Sequence, residues 1–290
     1  MRFCSAYYSD IGRKESNQDS LLLLQRTQPQ GDEILLAVVC DGVGGLQRGE
    51  RASAEVTAAF RDWFFCQIED LYQQQQPLTA LFNDWDKLLR SLHWLLKEEA
   101  EESGLRSGTT VEAVLFMKGR YYICHVGDCR TYLRSDTLTQ LTTDHTVVQR
   151  ELSEGKLTPQ QAQRDPRQSL LLQCVGAGRE PEPEYLFGEV QPRQTFLLCC
   201  DGFRRRVTEE ELRRACRYSA REPKLRSALE RVAGLCKQRK ESDNITAILV
   251  SAAEQPRVRL PFGGRDRPGK NGNMTKDVLL QHCSLSDRTL

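Results

Sequence analysis

Four aspartates in this chain share one local grammar, and together they could hold cations. Asp41 follows A-V-V-C and precedes Gly42, while Asp128 follows I-C-H-V-G. Asp201 follows F-L-L-C-C and precedes Gly202, and Asp243 stands before Asn244 and the apolar run I-T-A-I-L-V. Each is placed by its flanks at the end of a strand, and strand ends of one sheet can converge. Converging carboxylates repel one another, and burying them is costly unless cations neutralise them. The set is oxygen-only, with no Cys or His, which favours hard Mg²⁺ or Mn²⁺ over zinc. Two such ions bridged by a carboxylate and a water lower the water's pKa and neutralise charge on a phosphoryl group. Any one of these positions also reads as an ordinary turn, since Asp-Gly after a strand is the commonest hairpin signature. The repetition is what argues for a site.

The rest of the composition narrows the setting. The chain has 290 residues, 39% apolar and 28% charged, as expected of a globular protein with a substantial core. Its net charge of +1 asks for neither nucleic acid nor an anionic membrane. The opening M-R-F-C-S-A-Y-Y lacks the apolar stretch of a secretory signal, and no uncharged run approaches the ~18 residues of a membrane helix. The 11 cysteines include no Cys-x-x-Cys, and Cys40, Cys124, Cys199 and Cys200 sit inside apolar runs as small buried hydrophobes. A soluble protein of the reducing cytoplasm is expected.

The elements that must position the aspartates follow from periodicity. Phe3–Tyr8 and Ser20–Leu24 read as strands around the polar loop I-G-R-K-E-S-N-Q-D-S. Glu33–Cys40 is nearly continuous apolar strand, the kind buried on both faces. Helical spacing predicts helices over Gly49–Asp70 and about Leu78–Glu102. Short strands are expected at Gly108–Met117, Arg120–Val126, Arg130–Leu133, Ser169–Cys174, Thr195–Cys200 and Asn244–Ser251. A helical insert is read at about Val147–Gln163. Further helices are read from the Thr208/Glu211 capping box to about Tyr218, and over about Lys224–Lys237. From about residue 254 to 290 the chain is rich in Gly, Pro and Arg without periodicity, and a disordered tail is expected. Strands in blocks with helices in pairs imply an α+β fold, antiparallel sheets with helices outside.

The ordered motifs resemble those of the metal-dependent protein phosphatase family, the type 2C serine/threonine phosphatases, in its bacterial form. They run S-D-I-G-R-K-E-S-N-Q-D-S, V-V-C-D-G-V-G-G, S-G-T-T-V-E-A-V-L-F, H-V-G-D-C-R-T-Y-L, L-T-T-D-H-T, L-L-C-C-D-G-F and E-S-D-N-I-T-A-I-L-V. The resemblance implies a four-layer α-β-β-α sandwich over residues 1–253, with a flap at about 143–165. Asp41 would bridge two Mn²⁺ or Mg²⁺ ions, with the Gly42 carbonyl on the second and Asp201 and Asp243 on the first. Asp128 matches the position of a third ion, and Asp19 that of an acid bonded to metal-held water. A metal-bridging hydroxide would then attack phosphoserine or phosphothreonine, opposing a bacterial Ser/Thr kinase. A monomer acting on phosphorylated proteins is implied.

The chain departs from the pattern in places. Relatives carry an Arg five residues before the Asp of N-Q-D; here Lys14 holds that spacing and Arg13 precedes it, so either could grip phosphate. Val43 and Leu46 stand where relatives often have Met and His, leaving no general acid to name, and His125 and His145 read as structural. The unusual F-R-R-R-V after Asp201 suggests that Arg204, Arg205 and Arg206 line the cleft mouth and favour acidic substrates. Two other functions stay open: a catalytically silent phosphoprotein-binding regulator, and a phosphatase dedicated to one phosphorylated regulator.

Overall fold

The computed structural model describes residues 1–43, 48–75, 77–253 and 278–282. The strands are β1 (Arg2–Asp10), β2 (Asp19–Thr27), β3 (Glu33–Asp41), β4 (Val111–Met117), β5 (Arg120–Val126), β6 (Arg130–Arg134), β7 (Leu138–Gln140), β8 (Glu184–Glu189), β9 (Thr195–Cys199), β10 (Ile245–Ala253) and β11 (Val278–His282). The helices are α1 (Gly49–Gln73), α2 (Leu78–Ser103), α3 (Val147–Ser153), α4 (Pro159–Ala162), α5 (Asp201–Arg204), α6 (Glu209–Ala215) and α7 (Glu222–Gln238). The strands form two antiparallel sheets, ordered β1-β10-β9-β6-β7 and β11-β2-β3-β4-β5-β8.

The layering follows from the side-chain period of two. On β2 and β3, Leu21, Leu23, Leu35, Ala37 and Val39 point into the core shared by the two sheets. Their alternates Leu22, Leu24, Leu36, Val38 and Cys40 pack beneath α1 and α2 against Val56, Phe60 and Trp85. A strand with both faces covered has no use for polar residues, hence the unbroken apolar run. The same core extends to α6 and α7 through Leu212, Leu225 and Leu229 on the far side of the other sheet. The four-layer α-β-β-α sandwich implied by the motifs is the fold adopted. Among the described residues no helix is long and apolar enough to cross a membrane.

One expectation is corrected. Ser169–Cys174 is not a strand: it makes only single bridges, Leu171 to Thr146 and, just beyond it, Val175 to Thr109. Its leucines explain why, since Leu170 and Leu172 are exposed over the insert rather than packed in a sheet. The edge strand instead is β8, paired to β5; its sequence E-Y-L-F-G-E is charged at both ends and half-exposed, so it carries little apolar signal. Within the segment expected to be a disordered tail, Val278–His282 adds an antiparallel strand to the open edge of β2. Its V-L-L run has strand character that the Gly/Pro/Arg-rich average hides. The remainder of 254–290 lies outside the described residues. So does Leu46.

Candidate metal centre

Antiparallel pairing brings the strand ends together. Asp19, the first residue of β2, lies directly opposite Asp41, the last of β3. Asp128 sits in the turn between β5 and β6, Asp201 just after β9 and Asp243 just before β10, all at the same end of the sandwich. Oxygens of Asp19 and Asp41 and the sulfur of Cys200 lie within 4.8 Å of one another.

Backbone contacts hold this end shut. The Asp41 amide donates to the Thr110 hydroxyl at 2.9 Å, and the Gly42 amide to the Gln18 carbonyl at 3.0 Å. A side chain at Gly42 would collide with the Gly49 and Gln18 backbones, at 2.5 and 2.7 Å, so the chain can pass here only as glycine. Asn244 ties the first loop down: its amide donates to the carbonyls of Ile11 (2.8 Å) and Ser16 (3.1 Å), and its oxygen accepts from the Gln18 amide at 2.9 Å. Gly202 is crossed closely as well, since a Cβ there would stand 2.1 Å from the Asn244 carbonyl oxygen. Gly202→Ala is therefore expected to destabilise the fold by roughly 1–3 kcal/mol, read as a lower urea midpoint at unchanged m-value.

The electrostatics are those of a site built for positive charge. Burial, then the charges of Asp19, Asp201, Asp128 and Asp243, pushes the Asp41 carboxyl well above the ordinary range. Burial chiefly, with Asp201 and Asp243 adding, raises Asp19 to about 7. Burial and Asp201 raise Asp128 to about 7, against the pull of Arg204. Neither Asp19 oxygen has a hydrogen-bond partner among the described residues, although the Thr246 hydroxyl and Cys200 thiol lie near enough to oppose the rise. The Oδ1 of Asp201 is likewise buried and has no partner among the described residues. Orphaned buried oxygens facing one cluster are what a hard divalent cation satisfies, so these residues fit Mn²⁺ or Mg²⁺. Cys200 does not change that reading. Its thiol is pushed up by burial and nearby carboxylates, donates to the Asn244 carbonyl and accepts from the Thr246 amide.

Of the two residues read as phosphate grips, Lys14 reaches the cluster, 3.0 Å from Asp243 Oδ1. Arg13 is exposed and makes no ion pair among the described residues. The histidines serve the scaffold. His125 joins buried Glu112 at 2.6 Å through Nδ1 and donates from Nε2 to the Thr143 carbonyl at 3.0 Å. His145, lowered to about 4 by burial and by His125, accepts at Nδ1 from the Gly127 amide and the Gln173 side chain. Both pin the start of the insert that carries α3 and α4.

The arginines after Asp201 are not a free basic rim. Arg204 is half-buried, donating to the Asp128 carbonyl at 2.9 Å and facing Asp144, which Arg130 also grips with two 2.7 Å bonds. Arg205 turns inward onto Asp201, Asp243 and Glu241, and Arg206 leans on Glu241 at 3.5 Å. Sequence reasoning missed Glu241, Cys200 and Asn244, and it placed Arg205 at the cleft mouth without its contacts to Asp201, Asp243 and Glu241. The Arg205 contact had a signal: Asp201 opens the short helix α5, and the fourth residue along a helix shares its face.

A family model described as protein phosphatase 2C matches residues 8–249. The chain is 31% identical over 222 residues to the serine/threonine protein phosphatase PstP of Mycobacterium tuberculosis, covering 76% of this chain but only 40% of that protein's length. It is 29% identical to the serine/threonine phosphatase stp of Listeria welshimeri, over 71% of this chain and 80% of the relative. The crystal structure of the PstP catalytic domain in complex with two manganese ions superposes with a TM-score of 0.69 at 28% identity, covering 87% of this chain and 99% of that one. Motif order, fold and match agree: this chain belongs to the protein phosphatase 2C family.

Proposed function

We propose that this chain is a metal-dependent protein phosphatase that hydrolyses phosphoserine and phosphothreonine in proteins, opposing a bacterial Ser/Thr kinase. The observation that carries the reading is the Asp19–Asp41 pair, set directly opposite across two strands with both Asp19 oxygens buried and without a partner among the described residues. In this reading Asp41, Asp201 and Asp243 would hold one Mn²⁺ or Mg²⁺ ion, and Asp41 with the Gly42 carbonyl would hold a second. Asp128 would take a third, weaker ion. The ion pair when bound supplies an activated water as nucleophile and neutralises charge on the phosphoryl oxygens. The protein's own part is to hold these carboxylates before any ion arrives and to present Lys14 beside Asp243 as a point charge for phosphate. The manganese-bound PstP domain supports the choice of ion.

A catalytically silent phosphoprotein-binding domain is favoured by one observation, the Arg205 guanidinium against Asp201. Hydrolysis of p-nitrophenyl phosphate and of a phosphothreonine peptide separates the two. Activity is expected with Mn²⁺, none in EDTA, and a loss of roughly 10²-fold or more in Asp201→Asn. Metal-independent turnover, or no turnover of wild type with any divalent ion, would overturn the phosphatase reading.

A further inference from the structure

Arg205 stands where a free cation is expected. Its Nη2 donates to Asp201 Oδ2 and lies 3.7 Å from Asp243 Oδ2, while its Nη1 donates to Glu241 Oε1 at 3.1 Å. One guanidinium thus answers three carboxylates, two of them assigned above to an ion. The other oxygens of those two aspartates differ. Asp243 Oδ1 is held by Lys14 at 3.0 Å, whereas Asp201 Oδ1 is buried with no partner among the described residues.

We propose that Arg205 is a tethered cation that shares Asp201 and Asp243 with the divalent ion and so weakens that ion's binding. The inference rests on the placement of an ion at Asp201 and Asp243 in the proposed function. Like charges a few ångströms apart in a half-buried site oppose each other strongly, and a carboxylate oxygen already bonded to a guanidinium is a poorer metal ligand. The side chain also has somewhere to go when an ion binds. A cavity of about 300 Å³ opens beside it between Asp128 and Arg130 on one side and Gln149 and Ser169 on the other. The Ser169 hydroxyl, 3.4 Å from Arg205 Nη2, marks its near wall. One of the two ions is then held loosely, and the phosphatase depends on ambient Mn²⁺ or Mg²⁺ for its full set.

Calorimetric titration of the metal-free full-length chain with MnCl₂ tests this in wild type, Arg205→Gln and Arg206→Gln. Gln keeps a donor at the position and removes the charge. Arg206 touches Glu241 but neither aspartate among the described residues. Arg205→Gln is expected to bind the weaker Mn²⁺ at least roughly tenfold tighter, with Arg206→Gln like wild type. The melting temperature gives a second readout: without metal Arg205→Gln melts below wild type, and saturating Mn²⁺ raises it by more. A merely structural arginine would lower the melting temperature equally with and without metal, and that result overturns the proposal. Unchanged or weaker Mn²⁺ binding by Arg205→Gln, with wild type binding two ions, overturns it alone. Absence of Mn²⁺ binding by wild type overturns the metal reading and this inference with it.

Discussion

Asp41→Asn is expected to lower Mn²⁺-dependent hydrolysis of a phosphothreonine peptide by roughly 10³-fold, the rate equivalent of losing several kcal/mol of charge stabilisation. The same change is expected to raise the melting temperature of the metal-free protein. The two effects have opposite signs for one reason. Asp41 sits among Asp19, Asp128, Asp201 and Asp243, and its carboxyl is pushed far above the ordinary range. Without metal, burial first and then the neighbouring carboxylates make ionising Asp41 costly, and a neutral amide of the same shape avoids that cost. The Asp41 amide bond to Thr110 and the Asp19–Asp41 strand pairing are backbone features that Asn retains. Circular dichroism melts in EDTA alongside the activity assay separate a functional carboxylate from a structural one. A variant that loses activity and also melts lower would show that Asp41 holds the fold rather than an ion.

The metal-free protein is expected to be more stable at pH 5.5 than at pH 8, with Mn²⁺ reversing the order. Asp19 and Asp128 each titrate near 7 in the fold, against an ordinary carboxylate value near 3.8. The folded state therefore holds extra protons between those values, and stability falls as pH rises from about 4 through about 7. His125 has the same sign: burial pulls it down, but the Glu112 carboxylate raises it on balance, so its contribution also fades as pH rises through its folded value. Asp144 runs the other way. Burial opposes its ionisation, but Arg130 and Arg204 hold its carboxyl low, and its stabilisation is lost only in acid. Cations bind the deprotonated carboxylates, so added Mn²⁺ stabilises most at high pH. Urea unfolding at both pH values, in EDTA and in Mn²⁺, checks the inversion. Equal stability of the metal-free protein at the two values would contradict the crowding of carboxylates described above.

The fold was legible wherever burial imposes a pattern. β3 declared itself through E-I-L-L-A-V-V-C because a strand covered on both faces tolerates no polar residue. α1 and α2 declared themselves through helical spacing, and α6 through the Thr208/Glu211 capping box, whose two reciprocal bonds form. β8 and β7 were illegible because edge strands keep one side in water and lose the alternation. The acidic positions were legible too, since an apolar run ending in Asp-Gly or Gly-Asp is a local feature.

What the chain alone determined was thus the list of carboxylates, their strand-end positions and the hard-cation chemistry that an oxygen-only set implies. The tertiary structure decided which of them meet and what else meets them. Asp19 opposes Asp41 because of the β2–β3 register, and Arg205 reaches Asp243, far off in sequence, because β9 and β10 are neighbours and α5 turns one face inward. Arg204 and Arg205 looked like a solvent-facing basic run and are instead turned inward onto the protein's own acids. The physical reason is that periodicity and turn chemistry are set by the nearest few residues. The balance of charge at a site is a sum over groups that only folding brings together.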